Sequence, residues 1–250
     1  TGTPASATIN GKKVLFANGS DEYVEFPMNR IENGAWEYVY EGNHEGKYYT
    51  YVVTNSQYKN REVVDPYAKS TGINGYRGMI VDFAKTNPTG WEEVVLHNIP
   101  STSLTVYETH VADVTSHASW GGTDAYAKLF KGLYETGTSY TKGDVTVTTG
   151  FDHIVELGVN AVQLIPIYDQ ANDERPNDDP TRTDGSVRAF NWGYNPLNYN
   201  SLDGIYSTNP YDGYTKIIEF KELVQAYNKA GINIIMDVVY NHVSGLEGSN

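Results

Sequence analysis

Four short runs carry residue types that can do chemistry. The first is Asp237-Val238-Val239-Tyr240-Asn241-His242, directly after the apolar Ile234-Ile235-Met236. It sets an acid, an amide and an imidazole at the end of a strand-like run, where a carboxylate is poorly solvated unless it pairs or is hydrogen-bonded. Such a set can brace and bind a polar ligand. It can equally satisfy loop backbone, with His242 a surface residue. The second run is Phe190-Asn191-Trp192-Gly193-Tyr194-Asn195-Pro196. Two aromatics about a glycine, followed by Asn-Pro, make a rigid turning platform. A sugar ring could stack on it, or it could pin its own loop into a core. In the third run, Tyr107-Glu108-Thr109-His110-Val111, Glu108 and His110 lie two residues apart and so on one side of a strand. Taken alone, Glu108 reads as a structural hydrogen-bonding acid. The fourth run, Leu164 to Asp169, reads as a strand terminus stopped by Pro166.

The elements that must hold these runs divide the chain in two. Residues 1–99 read as all-β. Trp36 to Tyr40 alternates, Gly42 to Gly46 turns, and Lys47 to Val53 follows as the expected partner strand of a hairpin. Lys13 to Phe16 and Tyr23 to Phe26 are further short strands, and Asp65-Pro66, Asn74-Gly75 and Asn87-Pro88 punctuate the rest. Short, regularly spaced strands predict a small β-sandwich. Trp36 and Trp91 read as core residues of it rather than sugar platforms.

Residues 100–250 read differently. Leu104 to Tyr107 starts a strand, Phe151 to Leu157 a helix stopped by Gly158, and Val159 to Ile167 a nearly unbroken apolar strand. Ile217, Phe220, Val224 and Tyr227 form a helical stripe that Gly231 ends, and Ile232 to Val239 is again apolar throughout. Apolar strands separated by helices predict a parallel sheet with helices on its faces. Two connections, about 110–148 and 168–214, exceed the usual βα loop, and α/β enzymes build their sites on such loops. A complete (β/α)8 barrel takes about 250 residues by itself. With only three such strands, this half is expected to be the first part of a barrel whose polypeptide continues past the third strand.

Composition narrows the partners. The formal net charge is −13, which argues against nucleic acid and anionic membrane surfaces. No run of about 18 apolar residues occurs, so no membrane insertion is expected. The opening residues lack the order of a signal peptide, although one removed earlier would leave no trace. Cysteine is absent, which excludes disulfides and thiolate metal sites. The chain has 21 Tyr beside 7 Phe and 4 Trp; most of these read as sheet packing, the remainder as candidates for sugar contact. A cysteine-free chain rich in Asn, Thr and Gly fits an extracellular or cell-surface protein, and a cytoplasmic one is also compatible.

Asn191 to Asn200 resembles the YNWGYDP signature of type I pullulanases, and Asp237 to His242 resembles the first shared signature of the α-amylase superfamily. Val106 to Val111 resembles that superfamily's first barrel strand. Lys47 to Tyr51 and Val64 to Ala68 resemble the family-48 carbohydrate-binding module that precedes the barrel. The resemblance covers residues from about 10 to 250. Two departures stand out: Phe190 where the signature has Tyr, and Asn195 where it has Asp.

The resemblance implies a debranching glycoside hydrolase that cleaves α-1,6-glucosidic links by a retaining double displacement, acting on an α-glucan polysaccharide. It also implies roles. Tyr194 would stack on the sugar in the −1 subsite with Trp192 beside it, and His242 would hydrogen-bond that sugar's 6-hydroxyl. Asp237, Asn241 and Asn195 would support the site. None of these breaks the bond. The nucleophilic Asp, the acid/base Glu and a third Asp follow the fourth, fifth and seventh strands in the family, so all three are expected beyond Asn250. No catalytic residue is therefore expected within the chain, and the remainder of its own polypeptide is an expected partner. No cofactor is implied as required; calcium, through Asn241 and nearby loop carbonyls, is the one metal the resemblance brings in. The competing readings are an α-1,4-acting hydrolase of the same superfamily, a non-catalytic glucan-binding fragment, and an unrelated α/β protein.

Overall fold

The computed structural model describes residues 4–8, 13–17, 24, 26–56, 59–180 and 188–243. The β-rich half holds β1 (Pro4–Thr8), β2 (Lys13–Ala17), β3 (Asn29–Arg30), β4 (Trp36–Glu37), β5 (Tyr48–Tyr49), β6 (Tyr51–Val53), β7 (Arg61–Val63) and β8 (Gly78–Met79). The second half holds β9 (Val106–Thr109), β10 (Ser139–Lys142), β11 (Val145–Thr148), α1 (Gly150–Glu156), β12 (Ala161–Leu164), β13 (Tyr168–Gln170), β14 (Pro196–Leu202), α2 (Thr215–Lys229) and β15 (Asn233–Met236). Among the described residues no helix is long and apolar enough to cross a membrane.

The first half is built of short antiparallel pairs, and its pairing corrects the expected hairpin. β4 pairs with β3, β5 with β8, and β6 with β7. The β5–β8 pairing continues through Gly46 N–H to Ile80 O (2.8 Å) and Ile80 N–H to Lys47 O (2.9 Å), which consumes the backbone the hairpin needed. Tyr38 and Tyr40 leave the strand instead. Tyr38 stacks on Phe26, and Tyr40 packs on both Phe26 and His44, at centroid distances of 4.0–4.6 Å. Aromatic packing thus outcompetes a local ladder here. Of the expected strand at 23–26, Val24 and Phe26 are non-strand backbone, while Tyr23 and Glu25 lie outside the described residues. Trp36 is 46% exposed, so it is not the core residue expected. Trp91 is half-buried, with the Lys221 ammonium 5.1 Å above its ring.

The second half contains the start of the barrel. Its sheet is parallel, in the order β15-β12-β9. Consecutive strands thus neighbour in sequence order, with α1 between the first two and α2 between the last two. Register sets Tyr107, Val162 and Ile234 side by side, and these pack with Ile154 of α1 and with Leu223 and Tyr227 of α2. The opposite face carries Glu108, Gln163 and Ile235, with the Gln163 amide donating to Glu108 Oε1 at 2.7 Å. Gly158 at φ 72° and Gly231 at φ 80° stop the two helices, as the sequence predicts.

The two long connections differ. The first folds into the core: Phe130 and Leu133 are fully buried, and Tyr227 donates its hydroxyl to Leu133 O at 2.9 Å. The second stands up at the sheet's C-terminal end as the bulged antiparallel pair β13–β14. α2 turns its polar side to the β-rich half, where Gln225 bonds Thr89 O and Lys221 bonds Thr86 and Asn87.

Candidate active-site platform

β15 ends at Met236, and Asp237 still donates its N–H to Leu164 O at 3.0 Å, so its side chain leaves from the mouth of the sheet. Tyr194 meets it there, donating its hydroxyl to Asp237 Oδ2 at 2.9 Å. That bond, more than burial, raises the Tyr194 pKa, because the neutral phenol is the donor. Tyr194 is 40% exposed and Trp192 64% exposed. The two aromatics therefore offer open ring surface at the strand end, and the loop that carries them is not pinned into a core by them.

What holds this loop is hidden beneath it. Gly193 sits at φ 87°, and a Cβ there would lie 2.0 Å from Pro166 O, so only glycine lets the loop lie on the end of β12. The buried amide of Gln170 clamps it from both sides: Nε2 donates to Gly193 O (2.7 Å) and Oε1 accepts from Asn195 N–H (3.2 Å). Asn191 Oδ1 accepts from Gly193 N–H at 2.8 Å. The buried His110 ring supports the loop's entry. Ala112 N–H donates to its Nδ1 (3.1 Å), which leaves the proton of the neutral ring on Nε2 for Asn191 O at 3.0 Å. Burial pulls the His110 pKa below its ordinary value, with Asp113 opposing. Glu108 and His110 do not share one environment as expected. The ladder stops at Thr109; His110 then turns inward, while Glu108 stays exposed on the sheet.

Further along the same strand end, Tyr240 donates to Asn200 Oδ1 at 2.7 Å and stacks against Tyr199 at 6.1 Å. Tyr199 in turn donates to His242 O. Asn241 Nδ2 donates to His242 Nδ1 at 3.0 Å, and both side chains are exposed. Tyr194 with Asp237, and Asn241 with His242, are therefore brought together in pairs on one strand end. Asn195 presents an exposed side chain and takes part in the clamp through its backbone. Calcium wants six to eight oxygens from several segments. Among the described residues, carboxylates close enough together to hold one ion gather at one place, which does not include Asn241.

That place is a buried polar seam that sequence reasoning missed. Asp169, Glu174 and Asp203 are fully buried, with carboxylate oxygens within 4.8 Å of one another. Asp169 Oδ2 accepts from Thr71 Oγ1 and Asn198 Nδ2, both at 2.8 Å. Glu174 accepts from Asn74 N–H (2.6 Å) and Gly204 N–H (2.8 Å), so it ties the β-rich module to the platform loop. Asp203 accepts from Gln170 N–H (3.1 Å), Asn172 Nδ2 (2.9 Å) and Ile205 N–H (2.9 Å). Lys216, also buried, donates to Thr71 Oγ1 at 2.9 Å. Burial pushes Asp169 and Glu174 up to about 7 and Asp203 up to about 6, with each carboxylate raising a neighbour and Lys216 pulling the other way. In sequence these acids lie in polar loops and look solvated. The nearest signal was Asp169 at the end of an apolar run, read as a terminus.

Known proteins fit this geometry. Residues 80–247 match the family model "Alpha amylase, catalytic domain", and residues 12–68 match "Carbohydrate-binding module 48 (Isoamylase N-terminal domain)". The chain is 31% identical to the pullulanase of Bacillus subtilis (strain 168) over 250 residues, covering 98% of this chain and 31% of that protein. It is 29% identical to pullulanase A of Streptococcus pneumoniae, covering 88% of this chain and 18% of that one. The solved pullulanase of Paenibacillus barengoltzii in complex with maltohexaose and α-cyclodextrin superposes with a TM-score of 0.79 at 35% identity, over 96% of this chain and 38% of that chain. The chain thus spans between 18% and 38% of the length of these relatives. It belongs to the α-amylase catalytic-domain family, in its pullulanase-type branch, with a family-48 carbohydrate-binding module ahead of the barrel strands.

Proposed function

We propose that this chain is the sugar-holding front portion of a debranching glycoside hydrolase that cleaves α-1,6-glucosidic links in an α-glucan polysaccharide by retaining double displacement. The observation that carries the reading is the Tyr194–Asp237 hydrogen bond. It sets the NWGY platform over the end of the third barrel strand, where enzymes of this architecture place their sites. Tyr194, with Trp192 beside it, stacks on the sugar next to the scissile bond, and His242 reaches its 6-hydroxyl. Asp237 fixes the Tyr194 ring through its hydroxyl, Asn241 orients His242, and Asn195 and Gln170 hold the loop.

Bond cleavage needs two carboxyl groups about 5–5.5 Å apart across the glycosidic bond, one to attack the anomeric carbon and one to protonate the leaving oxygen. We assign both to further polypeptide that completes the barrel. The open sheet face with Val106, 42% exposed, and the Glu108–Gln163 pair is the surface such polypeptide would cover. Residues 1–99 form the glucan-binding module and 100–250 the barrel portion in this reading. The proposed setting is extracellular or at the cell surface.

Pullulan digestion tests the reading, because pullulan joins maltotriose units by α-1,6 links. Maltotriose as product supports it. Panose moves the activity to α-1,4 links. If neither appears, and maltotriose does not bind the chain more tightly than the Tyr194→Ala variant, the reading is overturned.

A further inference from the structure

We propose that Tyr199 and Asn200 are positioning residues: the bulge in β14 aims them at the end of β15, where they hold the segment that carries His242. The role rests on the sugar-holding reading of that strand end. The bulge is wide. Asp169 lies opposite Asn198 and Tyr168 opposite Leu202, so Tyr199, Asn200 and Ser201 have no residue across the ladder. They part in two directions. Ser201 turns inward, fully buried, with its Oγ 3.0 Å from Thr71 Oγ1. Tyr199 and Asn200 turn to the strand end. Asn200 makes the turn at φ 64°, a left-handed backbone that asparagine tolerates better than most residues with a side chain. Bulges beside active sites commonly re-aim a side chain in this way.

The segment needs such anchors. Its last backbone tie to the sheet is Asp237 N–H to Leu164 O, and among the described residues no backbone–backbone hydrogen bond follows it as far as Val243. Side chains hold it instead. Asn200 Oδ1 accepts from Tyr240 at 2.7 Å and from Tyr168 at 3.3 Å, and the two phenol oxygens lie 2.9 Å apart. An amide oxygen has two lone pairs, so this one acceptor closes a ring with both phenols. Tyr168 is buried and gives the ring a fixed corner; Tyr240 is 61% exposed and is the corner that needs fixing. Tyr199 acts on the other side of Asn241. Its ring stacks on Tyr240, and its hydroxyl donates to His242 O. The anchors at Tyr240 and His242 thus flank Asn241, whose amide donates to His242 Nδ1 and leaves the proton of the neutral ring on Nε2. None of these bonds uses Nε2, which keeps that nitrogen for a sugar hydroxyl.

The test uses the full chain and three readouts: titration calorimetry with maltotriose, thermal unfolding, and proton–nitrogen correlation spectra of the histidine rings at fixed pH, with His242→Gln marking the His242 signals. Asn200→Gly keeps the left-handed backbone and removes the acceptor, whereas Asn200→Asp restores an acceptor oxygen. Tyr199→Phe keeps the stacked ring and removes only the hydroxyl. Asn200→Gly and Tyr199→Phe should each weaken maltotriose binding about three- to tenfold, and each should shift or broaden the His242 signals. Their unfolding midpoints should stay within about 3 °C of the wild type, because both lost bonds lie at the exposed strand end. Asn200→Asp should restore binding and spectrum together. The proposal is overturned if the His242 signals are unchanged in both Asn200→Gly and Tyr199→Phe, or if Asn200→Asp is as impaired as Asn200→Gly. The sugar-holding reading fails separately. If maltotriose does not bind, or binds Tyr194→Ala as tightly as the wild type, that reading falls, and the His242 signals still support or overturn the holding role of Tyr199 and Asn200.

Discussion

Asp237 and Asp169 are both aspartates that follow a barrel strand, Asp237 directly after β15 and Asp169 within β13 beyond the end of β12, yet one is partly open and the other fully buried. Asp237 receives one tyrosine hydroxyl and still faces the platform. Asp169 is enclosed with Glu174 and Asp203, accepts from Thr71 and Asn198, and is pushed up to about 7. The mouth keeps its polar groups available for a ligand by leaving them in contact with water. The seam uses its polar groups to join two modules, and desolvation makes every unmatched charge there expensive. Function and cohesion thus draw on the same side chains, and burial decides which of the two a given carboxylate serves.

The largest expected effect lies in the seam. Lys216→Met, measured by urea denaturation in the presence of a chelator, should lower stability by about 3–5 kcal/mol, because it strands buried carboxylates without their cation. A near-neutral result would erase the contrast between the two regions. Gly193→Ala comes next. The left-handed backbone and the contact with Pro166 O should together lower stability by about 1–3 kcal/mol and displace Tyr194, which a loss of maltotriose binding would report.

His110 sharpens the comparison through pH. Its folded pKa is depressed, so its contribution to stability is present above the ordinary histidine pKa of 6.5 and is lost as pH falls from there through the folded value. The difference in unfolding midpoint between the wild type and His110→Gln should therefore shrink between about pH 7.5 and pH 5.5. A constant difference would mean that the imidazole does not titrate with unfolding. Smallest of all is Tyr194→Phe, which should change stability by less than about 0.5 kcal/mol because the ring stands on the surface. It should weaken maltotriose binding less than Tyr194→Ala does, since the stacking face survives.

Much of the barrel portion was legible. β12, α2 and β15 follow from apolar runs and a 3.6-residue stripe, which are local signals, and Gly158 and Gly231 punctuate them. The platform loop and the strand end were legible as motifs, although their joining through Tyr194 and Asp237, 43 residues apart, was not. The β-rich half was less legible. Strand type came through there, but partner choice did not. β5 takes a partner from residues 78–79, and the neighbouring Tyr38 and Tyr40 prefer ring packing to a ladder.

The sequence by itself determined the alternation of apolar strands and helices, the glycine stops of α1 and α2, and the absence of any thiolate site. Each rests on residues adjacent in the chain or on composition. Tertiary structure alone decided that Asp169, Glu174, Asp203 and Lys216 share one dry compartment, that Gln170 clamps the platform, and that Trp36 faces outward. Desolvation is the reason: it belongs to what surrounds a group once the chain has closed around it, and no spacing along the sequence encodes it.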